Sequence, residues 1–243
     1  MICWVVERVL EARSVSRVIV ATDDGTVIDT VRGAGYDAVM TRSDHASGTD
    51  RLAEVARSLT EAEIIVNVQG DEPLISAETI DSAVAALRDN QVYSMATTSE
   101  PIESAADVLS PDVVKVVSDQ AGRAIYFSRS PVPYPREAVR QYGSIENALQ
   151  NEPNLLSTFR KHTGLYVYRR DFLLQFATWP QSTLERAEAL EQLRALERGV
   201  MIKVIGASRP SIGVDTFADL ERVRAVIELS SGRGSNCAQT RPS

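Results

Sequence analysis

The chain is predicted to be an α/β protein built on a mixed, mostly parallel sheet with helices on both faces. Three observations predict it. From residue 2 to residue 89, amphipathic stretches alternate with short β-branched runs, and the connections between them are short. The runs close on polar turns, Thr22-Asp23-Asp24 at a helix cap and Gly70-Asp71-Glu72-Pro73 at a strand end of the kind where ligands bind in open parallel sheets. At 243 residues, 44% hydrophobic and 24% charged, the composition is that of a globular chain long enough for one large domain.

The elements follow in order. Residues 2–13 set Val5, Val6, Val9 and Leu10 against Glu7, Arg8 and Glu11, an amphipathic helix. RVIVATDD is a buried strand ending in a helix cap. A helix over 26–34 and a strand at Ala38-Val39-Met40 come next, then the polar loop TRSDHASGTD and the helix RLAEVARSL, for which Thr49 or Asp50 is the expected cap. The most apolar strand, Ile64 to Gln69, is expected to be fully buried and is followed by a helix over 76–89. Strands are expected near 93–98, 113–118 and 123–128. Residues 130–160 hold four prolines and no sustained period, which reads as a long excursion or arm. HTGLYVYRR is a strand, helices cover 170–177 and 184–198, MIKVIGA is a strand, and GVDT caps a last helix over 216–229. This predicts a single domain over 1–229 and a disordered tail over 230–243.

Charge and composition exclude several classes. A net charge of −7 opposes nucleic-acid binding, which calls for a Lys/Arg excess. Cys3 and Cys237 form neither a CxxC pair nor a Cys/His cluster, so no zinc site or disulfide framework is expected. No apolar run approaches a membrane span or a secretory signal, and the chain reads as cytoplasmic, with no membrane partner.

Four groups of residues are candidates for chemistry. Asp71 lies past the end of the apolar strand and reads equally as a turn residue or a ligand. Gln69 and Asn67, amides expected to be buried and in need of partners, shift the balance toward a binding site. Asp215 taken alone is a helix cap. Paired with Asp71 at a second strand end, it could hold a Mg²⁺ that also meets phosphate oxygens. In the loop 41–51, Arg42 and Arg51 can meet an anion, while Ser47, Gly48 and Thr49 offer N–H groups and hydroxyls at a helix N-terminus. His45 reads as an exposed loop histidine. Arg129, His162, Tyr166 and Arg169 flank the excursion with a cation and polar groups suited to a carboxylated sugar. In LERAEALEQLR, the carboxylates of Glu185, Glu188 and Glu191 read as a solvated face, with Leu184, Ala187, Leu190 and Leu193 as the buried stripe.

Taken together, the segments VIVATDD, MTRSDHASGTDRLAEV, IIVNVQGDEP, VKVV, AIYFSR, HTGLYVYRR, LEQLR and GVDTFADLERVR resemble the 3-deoxy-manno-octulosonate (Kdo) cytidylyltransferases, or CMP-Kdo synthetases, in order along most of the chain. IVNVQGDEP and SGTDRL are the specific signatures. The resemblance implies a nucleotide-diphospho-sugar transferase fold, a homodimer with the excursion at its interface, and transfer of CMP from CTP to Kdo. It implies Asp71 and Asp215 as Mg²⁺ ligands, and Gln69 as a contact to the sugar acid. Arg42 and Ser47, with Gly48 and Thr49, fall on the CTP side. Arg129, His162, Tyr166, Glu191 and Gln192 form the sugar wall, which would turn the Glu191–Gln192 face of its helix into the pocket. The rival readings are a cytidylyltransferase for a sialic-acid-like sugar, or a non-catalytic nucleotide- or sugar-binding relative.

One departure from the family pattern stands out. The family's first strand leads into a glycine- and arginine-containing loop, ending in a Gly-Lys-Pro-Leu type run, that grips the triphosphate. This sequence opens at the helix that follows it. An internal start, with a strand and basic loop encoded upstream, is favoured over a fragment or a degenerate paralogue. The chain as written is then expected to fold poorly or be inactive, with one strand left without its neighbour.

Overall fold

A computed structural model describes residues 1–210, 213–214 and 216–231. Its first half is the predicted alternation: α1 (Ile2–Leu10), β1 (Val20–Thr22), α2 (Gly25–Gly33), β2 (Ala38–Met40), α3 (Gly48–Ser58), β3 (Ile64–Asn67) and α4 (Ala77–Arg88). Caps fix three of the helix starts. Asp24 accepts the N–H of Thr26, Ser76 that of Thr79 and Ser47 that of Asp50. The cap of α3 is therefore Ser47, in extended backbone, and not Thr49 or Asp50. Thr49 is buried within the first turn.

The second half runs β4 (Met95–Pro101), α5 (Ala105–Leu109), β5 (Lys115–Ser118), β6 (Ala124–Ser128), α6 (Arg136–Tyr142), α7 (Ile145–Asn151), a 3-10 turn at Pro153–Thr158, β7 (Arg160–Arg169), α8 (Arg170–Phe176), α9 (Thr183–Glu188), α10 (Gln192–Glu197), β8 (Ile202–Gly206) and α11 (Phe217–Ser231). The excursion is thus more regular than its prolines predict. Its short helices close over Ile102, Val108, Leu149 and Phe159. The helix expected over 184–198 is two helices, because Ala189 takes a left-handed conformation at φ 50°. That break turns Glu191 to the start of α10. Residues 232–243, which include most of the expected tail, lie outside the described residues.

The ten residues of β7 organise the larger sheet. One edge of β7 pairs with β4; the other pairs with β3 at Tyr166–Arg169 and touches β5 at Lys161. β4 pairs in parallel with β8, and β3, β4 and β5 each run antiparallel to β7, so four strands share one direction and β6 and β7 oppose them. Both faces are covered. Ile65, Met95 and Tyr168 pack on α3, α8 and α10; Ala96, Leu165 and Val167 pack on α1 and α4. β1 and β2 form a separate parallel pair. β3, expected to be fully buried, buries only Ile65, because one of its edges has no strand beside it among the described residues. No helix among the described residues is long and apolar enough to cross a membrane.

Candidate functional site

The turn after β3 sets the first part of the site. The N–H of Glu72 donates to the carbonyl of Gln69 at 3.2 Å, which closes the turn and carries Asp71 past the strand end. Asp71 is half-buried, and its carboxylate makes no hydrogen bond or ion pair among the described residues. Its backbone carbonyl accepts the N–H of Val214 at 2.8 Å, so the segment 213–214 is fastened to this turn. Asp215, the other expected ligand, lies outside the described residues. Gln69 is exposed and not a buried amide; its Cγ lies 3.6 Å from where a Cβ on Gly164 of β7 would stand. A side chain there would meet Gln69 in ordinary van der Waals contact.

The loop before α3 forms the second part. Arg42 makes a two-pronged bond to Asp44, at 2.8 and 2.7 Å, well out in solvent. That pair raises the Arg42 pKa and lowers that of Asp44, and Arg42 reaches none of the other candidates. Arg51 bonds Thr41 at 2.6 Å and Asp23 at 2.9 Å, and holds the Asp23 carboxyl below its usual range. His45 is not an exposed loop residue: it bonds Glu54 and lowers the Glu54 pKa. Gly48 opens α3 onto free space. Ser47 and Thr49 both reach Glu191: the Thr49 hydroxyl donates to its carboxylate at 2.5 Å, and the Ser47 hydroxyl shares its one proton between Glu191 at 3.2 Å and Asp50 at 3.0 Å. The nucleotide-side loop and the sugar-side helix of the sequence reading therefore meet at one carboxylate.

β7 supplies the third part. His162 lies edge-on to Phe127 at 5.2 Å and tilted against Tyr166 at 5.3 Å, with Tyr166 stacked on Tyr168. The Thr97 hydroxyl donates to the Leu165 carbonyl at 2.8 Å, so it is left to accept from His162 Nε2–H at 2.8 Å. This fixes the proton on Nε2 and leaves Nδ1 as an acceptor. Burial lowers the His162 pKa to about 4 and raises that of Tyr166, so both are neutral at pH 7. The sign is that of a depressed base: the unfolded chain binds the proton first, so stability falls as pH drops from about 6.5 to about 4. The residue as a whole is only half-buried, which limits this term to about 2 kcal/mol. His162→Gln is expected to flatten that part of the pH–stability curve, measured by urea melts at half-unit steps. A curve parallel to wild type would remove His162 as its cause.

A protein-family model described as Cytidylyltransferase matches residues 1–204. The 3-deoxy-manno-octulosonate cytidylyltransferase of Geobacter sulfurreducens is 52% identical over 223 residues, covering 92% of this chain and 87% of that protein. Its counterpart in Syntrophotalea carbinolica is 50% identical over 225 residues, 93% and 87% of the two chains. The chain belongs to the 3-deoxy-manno-octulosonate cytidylyltransferase family. A solved structure of CMP:2-keto-3-deoxy-manno-octonic acid synthetase complexed with CTP superposes with a TM-score of 0.82 at 41% identity, covering 94% of this chain and 88% of that one. The 4-diphosphocytidyl-2C-methyl-D-erythritol synthase of Anaerococcus prevotii shares the fold alone, at a TM-score of 0.58 and 13% identity.

In this member of the Kdo cytidylyltransferase family, several polar groups differ from the sequence reading. Glu188 is no solvated carboxylate: Ser128 donates to it at 2.7 Å and the N–H of Arg129 at 2.8 Å. The Arg129 guanidinium donates to the carbonyls of Glu188 at 2.7 Å and Pro111 at 2.8 Å. Glu185 is buried against Arg194, while Ala187 of the expected apolar stripe is exposed. Arg169 lies apart from the site, donating to the carbonyl of Tyr93 at 3.0 Å. Gln192 is buried with its side-chain Nε2 unpartnered. Lys115, missed in the sequence, is fully buried, and its ammonium donates to the carbonyls of Ser110, Val113 and Arg129 at 2.5–2.8 Å. Desolvation lowers its pKa. The available signal was a lysine inside the apolar run VVKVV.

Proposed function

We propose that the chain is a cytoplasmic cytidylyltransferase that activates Kdo with CTP, giving CMP-Kdo and pyrophosphate. The anomeric oxygen of Kdo attacks the α-phosphorus, the bond from that phosphorus to the β-phosphate oxygen breaks, and the hydroxyl proton passes to solvent. The observation that carries this reading is Glu191: it ties Ser47 and Thr49, on the nucleotide side, to the wall formed by His162, Tyr166 and Gln192. Both substrates then share one cleft. Catalysis here is chiefly positioning and electrostatics.

The residues present suit a Mg²⁺ ion, since the Asp71 carboxylate is a hard-oxygen donor with no bond among the described residues, and Val214 is fastened to the Asp71 backbone. Phosphate oxygens of the nucleotide would be further ligands to such an ion. A bound Mg²⁺ would neutralise charge on those oxygens. His162 Nδ1, held as an acceptor, takes a sugar hydroxyl, and Gln192 Nε2 supplies a donor.

Gln192→Ala and His162→Ala are expected to weaken Kdo by roughly tenfold or more with little change for CTP, the scale of one or two lost hydrogen bonds. Arg42→Ala is expected to do the reverse. Calorimetric titration of each substrate separately, with KM values beside it, reads the split. Equal effects on both substrates would overturn this division of the cleft. A homodimer through the 130–160 excursion is part of the same reading, and Tyr134 stands 59% exposed there. A monomeric sedimentation coefficient at micromolar concentration would refute it.

A further inference from the structure

The chain holds three lysines, and only Lys115 is buried; Lys161, paired with Glu100, and Lys203 are partly exposed. The Lys115 ammonium carries three protons and meets three carbonyls, those of Ser110 at 2.8 Å, Val113 at 2.5 Å and Arg129 at 2.6 Å. Every donor is committed, and none is left for a ligand. Lys115 can therefore serve the cleft only by holding other groups in place. An ammonium aims its N–H groups to three sides of one point, which a planar guanidinium does not.

What it holds is Arg129. Lys115 takes the Arg129 carbonyl, while Glu188 accepts the N–H of the same residue at 2.8 Å. A cation and an anion thus grip one residue's backbone from its two ends. Lys115 also fixes Ser110 and Val113, on either side of Pro111, and the Pro111 carbonyl accepts Arg129 Nη1 at 2.8 Å. Arg129 Nε donates to the Glu188 carbonyl at 2.7 Å. Nη2 makes only a long contact with the Ala189 carbonyl, 3.5 Å, among the described residues. That edge of the guanidinium is what remains for a carboxylate. Val114, the residue before Lys115, accepts the His162 N–H on its carbonyl at 2.8 Å, so the same stretch also seats the sugar-side histidine. Ser47 and Thr49, on the nucleotide side, have no bond to this brace.

We propose that Lys115 is a positioning residue for the sugar acid: it holds the Arg129 backbone and the 110–113 loop so that Arg129 Nη2 is presented to the Kdo carboxylate. This rests on the Kdo reading of the cleft and adds the residue that aims the cation. It touches no substrate. Its effect falls on one substrate and on one group of that substrate, which a general role in stability would not do.

The test starts from the wild-type 243-residue chain with its lysine side chains labelled for NMR, which gives three ammonium signals. Kdo alone is expected to shift the Lys115 signal along the same binding curve that calorimetry reads, and CTP alone to leave it in place. Kdo binding by calorimetry with an unmoved Lys115 signal would overturn the proposal and leave the Kdo reading standing. No Kdo binding at all would overturn both. Lys115→Met keeps the bulk and removes the three bonds, and is expected to raise Kd and KM for Kdo at least about tenfold, with those for CTP within about twofold. Glu188→Gln loosens the other end of the same backbone grip and should show the same split to a smaller degree, which decides the matter if Lys115→Met does not fold. The carboxamide of Kdo, which lacks the carboxylate charge, should lose little further affinity on Lys115→Met, since the two changes remove one interaction. Equal losses for Kdo and CTP, unchanged Kdo affinity, or an equal loss for Kdo and its carboxamide would each overturn the proposal.

Discussion

Asp71→Asn is expected to lower CMP transfer on the order of a thousandfold while leaving the fold intact. The substitution keeps size and shape and removes one formal charge and one hard-oxygen ligand from the strand end proposed to meet the phosphates. Stabilisation of phosphate charge by a held cation is worth several kcal/mol, and each 1.36 kcal/mol is tenfold in rate. The fold is expected to survive because the carboxylate makes no bond among the described residues, and the contact that fastens this turn to Val214 uses the backbone carbonyl. Turnover measured across a Mg²⁺ titration, with a thermal melt beside it, checks both halves. Near-wild-type rates at every Mg²⁺ concentration would remove Asp71 from the metal site. Lost activity with a collapsed melting transition would show a structural role instead.

What the sequence made legible is what local periodicity encodes. α1, α3 and α4 announce themselves by apolar spacing, and β3 by its β-branched run. The turn after β3 was visible because glycine, two carboxylates and proline have few other uses together. Contacts across the chain were not visible. β3 looks like a central strand, yet its exposure is decided by whether a neighbour occupies its edge, which no property of residues 64–69 reports. The break at Ala189 was hidden because left-handed backbone is usually marked by glycine or asparagine, and an alanine gives no warning. Glu188 sits among helix-forming charges and resembles any solvated glutamate. Its partners, Ser128 and Arg129, lie about sixty residues earlier. Lys115 is the instructive exception. A lysine in an apolar run must either snorkel or find acceptors, and here it finds three carbonyls.

The buried ion cluster behind Glu191 sets the other large effect. Arg194, with 7% of its side chain exposed, donates to Glu185 at 2.9 Å, to Glu191 at 2.6 Å and to the Trp179 carbonyl at 2.9 Å. Its guanidinium lies 4.7 Å from the centre of the Phe176 ring. Arg194→Met is expected to cost about 3–5 kcal/mol, because it leaves the buried Glu185 charge without its cation. That is a large part of the ~5–15 kcal/mol that holds a typical domain together. Arg194→Lys should recover little, since one ammonium cannot match a planar fork shared by two carboxylates and a carbonyl. Pairing Arg194→Met with Glu185→Gln removes the stranded charge, and the double variant is expected to be more stable than Arg194→Met alone. The functional trace is separate: Glu191 loses its anchor, so its bonds to Ser47 and Thr49 loosen and CTP affinity falls. Urea melts read the stability terms as shifts in midpoint at constant slope. If Arg194→Met unfolds within about 1 kcal/mol of wild type, or if the double variant is no better than the single, the cluster is not what braces the cleft.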